Sequence, residues 1–197
     1  MKKIIFFLIV ICVSLGSTAQ KHAYRETMAK FQQAYVDSHE VVKGPDRKFL
    51  HFFAINEKYK VTASFTRLND TSVFVMKTSG KVSKKFYRYG TLSFKLNDSL
   101  LHLTVYQSLQ LIKDPKYKDD LFIPYTDLTT GEESYGGGRY IDILTTDIKN
   151  NMVVIDFNKA YNPYCSYTTG YNCPIPPREN DLPIAVKAGE MKFGKAH

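Results

Sequence analysis

Tyr59-Lys60-Val61-Thr62-Ala63-Ser64-Phe65 alternates apolar and polar residues at every step. A period of two puts Tyr59, Val61, Ala63 and Phe65 on one face of an extended chain. The stretch reads as a half-buried strand, and its pattern continues downstream. Ser72 to Lys77, Lys85 to Tyr89, Thr91 to Leu96 and Leu101 to Tyr106 are short runs of β-forming residues. Asn69-Asp70, Ser79-Gly80, Gly90 and Asn97-Asp98 separate them with turn chemistry. Short strands with regular turns predict a mainly β (α+β) fold, an antiparallel barrel or sandwich. Ahead of them, Tyr24, Met28, Phe31 and Tyr35 recur at steps of four, three and four. That stripe predicts one amphipathic helix over residues 21–42, ended by Gly44-Pro45, with the β domain running over residues 48–193.

A hairpin is expected near the C-terminus. Arg139 to Leu144 and Met152 to Phe157 are strand-like around Thr145 to Asn151. An antiparallel register that pairs Ile143 with Met152 and Ile141 with Val154 sets Arg139 opposite Asp156. As a structural ion pair this would contribute about 0.2–1 kcal/mol. As the wall of a site, Arg139 would clamp an anion and Asp156 would orient it or act as base.

The N-terminus has the pattern of a secretory leader. Met1-Lys2-Lys3 is basic, Ile4 to Leu15 is apolar, and Gly16-Ser17-Thr18-Ala19 supplies small residues. Cleavage after Ala19 is expected, which leaves one domain over residues 20–197 and an exported protein, periplasmic or extracellular. The apolar run is shorter than the roughly 20 residues that a bilayer-spanning helix needs, so no integral membrane segment is expected after cleavage. Loss of Lys2 and Lys3 lowers the formal net charge from +8 to +6. The densest basic run is Lys81-Val82-Ser83-Lys84-Lys85-Phe86-Tyr87-Arg88. It reads first as a solvated strand and turn, and second as a surface for an anionic partner such as a glycan. Nucleic acid is not an expected partner of an exported protein.

Cleavage would remove Cys12 and leave Cys165 and Cys173. In an oxidising compartment two nearby cysteines are most simply a disulfide, which would contribute about 2.5 kcal/mol for so short a loop. The sharper alternative makes Cys165 a nucleophile, but His102 and His197 are the histidines nearest to it in sequence. No metal site is expected, because neither His nor Cys shows ligand spacing. No cofactor motif is present. Gly136-Gly137-Gly138 precedes a strand, where a phosphate loop would follow one, and so marks a bulge or a close backbone approach. Asp127 with Thr129, Thr130 and Gly131 reads as a turn.

Polar, aromatic and backbone-fixing residues crowd the segment from Tyr135 to Asn180. They point to one polar pocket with Tyr135, Arg139, Asp156, Asn158, Tyr161, Asn162 and Asn180 as ligand-binding candidates. Binding of a small polar or anionic ligand is the first expectation. The alternative is a hydrolase with Asp156 or Glu179 as general base and Arg139 as clamp. A structural periplasmic module, its motif residues only tying loops together, is the third.

Several blocks carry a resemblance. They are Leu121-Phe122-Ile123-Pro124-Tyr125-Thr126-Asp127, Tyr135-Gly136-Gly137-Gly138-Arg139-Tyr140, Asp156-Phe157-Asn158-Lys159-Ala160-Tyr161-Asn162-Pro163 and Cys173-Pro174-x-Pro176-Pro177-x-Glu179-Asn180. Together with Phe52-Phe53 and the Tyr59 to Phe65 alternation, they make the chain similar to domain of unknown function 1684 over Phe49 to Phe193. The resemblance implies a compact member of that family and no particular reaction.

Overall fold

The computed structural model describes residues 2–195, with side chains from Gln20 onward. Helix α1 (Lys2–Ser38) is followed by strands β1 (Lys60–Arg67), β2 (Phe74–Met76), β3 (Lys84–Leu96) and β4 (Ser99–Ser108), then β5 (Asp120–Tyr125), β6 (Arg139–Leu144) and β7 (Met152–Asp156). All seven strands belong to one antiparallel sheet in the order β6-β5-β4-β3-β1-β7, with β2 paired to the first residues of β3, before the stretch that β1 pairs. Ile141 and Ile143 at one end of that order share a core with Val153 and Ile155 at the other. A flat sheet could not bring them together, so the sheet curls into a half-barrel around Leu92, Leu103, Val105 and Ile123. The mainly β fold with one helix near the N-terminus is therefore as the alternation predicts.

Local chemistry explains the strands. Asn97 and Asp98 have φ of 50° and 62°, the two left-handed residues of a tight hairpin turn between β3 and β4. Gly90, expected to end a strand, instead marks a bulge inside β3, where the register shifts between Arg88 and Gly90. A Cβ there would lie 2.2 Å from the Phe65 ring, so the sheet can pass only glycine at this crossing. The bulge also reverses which side chains face inward: Phe86 packs on the outer face with Tyr106, and Leu92 packs inside.

The expected hairpin does not form. β6 pairs with β5, and β7 pairs with β1, Val61 opposite Ile155. The chain leaving β7 meets β6 through a bridge between Tyr161 and Tyr140. In β7 the inward residues are Val153 and Ile155, while Met152 and Val154 are exposed. The expected register was thus wrong in partner and in parity, and a one-residue shift inverts every side chain of a strand. Arg139 sits on the core face with Ile141, and Asp156 on the outer face.

Helix α1 ends at Ser38, short of the expected Val42, and it begins well before residue 21. Buried His39 accepts the Val42 N–H on Nδ1 at 2.9 Å and turns the chain. Met28 of the expected stripe is buried and Tyr35 bonds Glu190, but Phe31 is 38% exposed and Gln32 takes its place, reaching the Asn158 carbonyl. The side chains of the expected leader, residues 1–19, lie outside the described ones. No described helix is long and apolar enough to cross a membrane.

Candidate functional site

The residues singled out in the sequence fall into separate networks. Arg139 is 1% exposed and stands opposite Tyr125 in the β5–β6 ladder. Its guanidinium lies over the rings of Tyr125 and Phe53, at 5.4 and 5.5 Å. Nη2 donates to Asp127 Oδ2 at 2.6 Å and to the Val186 carbonyl at 2.8 Å, and Nη1 donates to the Ala188 carbonyl. Asp127 is the turn residue expected, since its Oδ1 accepts the Thr129 N–H at 2.6 Å, but it is also the counter-ion that Arg139 was expected to find in Asp156. The ion pair holds β6 to the turn after β5, and the two carbonyl bonds hold it to the C-terminal segment, both from inside the half-barrel.

Asp156 and Asn158 instead hold α1. Tyr24 Oη donates to Asp156 at 3.0 Å, and Asn158 Nδ2 donates to Tyr24 Oη at 2.8 Å. The same carboxamide exchanges hydrogen bonds with both backbone groups of Asn56. Glu179 lies elsewhere, paired with Arg88 at 2.9 Å and hydrogen-bonded by Tyr106, and those partners hold its carboxyl below the usual range. Asp156 and Glu179 therefore lie in separate networks, and neither pairs with Arg139. Asn180 bridges two strands, donating to the Thr104 and Pro124 carbonyls and accepting the Thr104 N–H at 2.7 Å. Tyr135 Oη reaches the Cys165 carbonyl at 3.3 Å. Gly138, at φ 81°, is the expected close approach: a Cβ would lie 2.7 Å from the Tyr125 carbonyl.

Asn162 belongs to a further buried cluster that sequence reasoning missed. Its N–H donates to Glu190 Oε2 at 2.8 Å, and Tyr35 and Tyr167 hydroxyls donate to the same carboxyl group. Burial of Glu190 pushes its carboxyl up to about 7, against the pull of those donors.

A groove of about 610 Å³ lies on the outer face of the sheet. β3, β5 and β6 supply its floor through Phe86, Phe122 and Tyr140, and the disulfide-bonded Cys165–Cys173 loop supplies a wall through Tyr171, Asn172 and Cys173. Ser79 Oγ accepts the Cys173 N–H at 3.1 Å, and Tyr140 Oη donates to the Pro174 carbonyl, so wall and floor are joined. At one end Tyr161 Oη donates to Asp142 Oδ2 at 2.6 Å. Asp142 meets water through the groove mouth, but the dense protein around it desolvates the carboxyl and pushes it up to about 6, with the Asp120 charge adding to the rise. Asp120 is its diagonal neighbour on β5, because Phe122 pairs with Asp142 and Asp120 with Leu144. Lys84 lines the groove from β3, and burial lowers the affinity of its amine for a proton.

Of the seven ligand-binding candidates, Tyr161 and Asn162 line this groove. Asp142 and Asp120 escaped notice, and Lys84 was read only as part of the basic run. The alternation Arg139-Tyr140-Ile141-Asp142-Ile143 carried the signal, since it sets Tyr140 and Asp142 on the face opposite Arg139 and the isoleucines. No metal-holding group of His, Cys, Asp and Glu occurs among the described residues.

The comparisons with known proteins agree with this fold. No curated protein matches the chain. A solution NMR structure of an uncharacterized protein from Haloarcula marismortui is similar, with 28% identity and a TM-score of 0.62, over 90% of this chain and 95% of that one. Residues 47–191, which contain every strand and the lining of the groove, match the family described as protein of unknown function DUF1684, and the chain belongs to that family.

Proposed function

We propose that the protein binds a small polar ligand in the groove between the outer face of the sheet and the Cys165–Cys173 loop. The observation that carries this is the Tyr161–Asp142 hydrogen bond at the end of an aromatic-floored cavity of about 610 Å³. That volume is in the range of small-molecule sites, which combine apolar walls with a few placed polar groups. Asp142 and Asp120 suit donor groups of the ligand, and Lys84 on the far strand suits an anionic one. The curled sheet is read as a barrel closed by the Tyr140–Tyr161 bridge, with the groove outside that seam. Export is part of the proposal: it rests on the leader-like N-terminus and on a disulfide, a bond that persists in oxidising compartments.

A thermal-shift screen of monosaccharides, amines, amino acids, carboxylates and inorganic phosphate tests the reading. A binder should raise the midpoint of the wild type and fail to do so in Asp142→Asn and Tyr161→Phe. Binders indifferent to both substitutions would place the ligand elsewhere. Hydrolysis is the second reading, favoured by the position of Asp142: a carboxyl that titrates near 6 can exchange protons at neutral pH. Turnover of an ester or glycoside abolished by Asp142→Asn would support it.

A further inference from the structure

The β2–β3 hairpin carries a segregated charge. Between Thr71 and Asn97 the sequence holds six basic residues and no acidic one. Phe74 and Met76 of β2 turn onto the outer face of the sheet beside Phe86 and Tyr106. By alternation Val73, Val75 and Lys77 point the other way, and Val75 pairs with Lys85 across the hairpin. Val73 is 47% exposed, Val75 54% and Val82 62%. Lys77, Lys81 and Lys85 have no ion pair among the described residues.

The hairpin is also held in place. Thr78 bridges to Pro174, the Ser79 N–H donates to the Cys173 carbonyl at 2.9 Å, and the Val82 N–H donates to Asn172 Oδ1 at 3.2 Å. Exposed branched apolar side chains beside unpaired lysines, on a fixed rim, form a surface that is both adhesive and positive. A soluble polyanion would engage the lysines and leave the valines in water. A lipid surface takes both, the valines at the level of the head groups and the lysines on the phosphates.

We infer that the β2–β3 hairpin, through Val75, Val82, Lys81 and Lys85, docks the protein on the surface of an anionic phospholipid bilayer. Cosedimentation of the full chain with phosphatidylcholine vesicles, with and without phosphatidylglycerol, tests this. The segment Lys2 to Leu15 is the same in every variant, so variants and wild type are compared on the same vesicles. Binding should be stronger with phosphatidylglycerol and weaken as salt rises. Lys81→Glu/Lys85→Glu should lower the anionic increment by about tenfold or more, and Val75→Ser/Val82→Ser should lower it as well, while Lys149→Glu should not. Thermal unfolding checks that each variant folds. Equal binding to both vesicle types overturns the inference. So does an anionic increment untouched by the valine substitutions, or binding to soluble heparin that competes with no vesicle; a soluble polyanion would then be the partner.

Discussion

Asn180 gives Thr104 the hydrogen bond that Pro124 cannot. The β4–β5 ladder pairs Tyr106 with Phe122, and the same register would bring Thr104 opposite Pro124. A proline has no N–H to offer the Thr104 carbonyl. The strands part there, and the Asn180 carboxamide fills the gap, serving Thr104 on both its backbone groups and Pro124 on its carbonyl. Asn180→Ala should lower the free energy of unfolding by about 3 kcal/mol, since it strands buried backbone groups. Urea denaturation followed by circular dichroism measures it, and a loss under about 1 kcal/mol would mean that water replaces the side chain.

Arg139→Met should be more costly still. It leaves Asp127 buried without its cation, a change worth about 3–5 kcal/mol. Adding Asp127→Asn should recover part of that loss, because a neutral amide can stay buried more cheaply. Urea midpoints of the two variants decide the point. If the double variant is no better than the single one, the packing of the guanidinium between Tyr125 and Phe53 matters more than the charge.

Glu190 makes stability depend on pH. Its carboxyl titrates at about 7 in the folded protein against 4.5 as the ordinary value. Between those values the folded state holds a proton that the unfolded state has released, so stability should fall as pH rises from about 4.5 to about 7, by roughly 3 kcal/mol in all. Asp142, at about 6, adds a slope of the same sign. Glu190→Gln should flatten the profile over this window, and the measurement is the free energy of unfolding at several pH values in wild type and variant. A profile as steep in Glu190→Gln as in the wild type would remove Glu190 as the cause.

The Cys165–Cys173 bond should contribute about 2.5 kcal/mol, from the chain entropy of so short a loop. Cys165→Ser/Cys173→Ser should lose about that much and should loosen the groove wall at Tyr171 and Asn172. Hydrogen exchange over residues 171–174 reads the second effect. Exchange that stays slow there would show that Ser79 and Asn172 hold the wall without the bond.

What the sequence determined by itself was local. The Tyr59 to Phe65 alternation is β1, the Asn97-Asp98 pair is the β3–β4 turn, and the Cys165–Cys173 spacing is a disulfide. Period, turn geometry and loop length each depend on residues close along the chain, so they can be read there. Partner choice depends on residues far apart. Arg139 and Asp156 have complementary charges and plausible spacing for a hairpin, yet the curl of the sheet gives Arg139 to Asp127 on the inside and Asp156 to Tyr24 on the outside. The groove is a consequence of the same curl. Tyr161 reaches Asp142 because the chain leaving β7 crosses to the edge of β6, a long-range contact that no local pattern encodes and that closure around a shared apolar core decides.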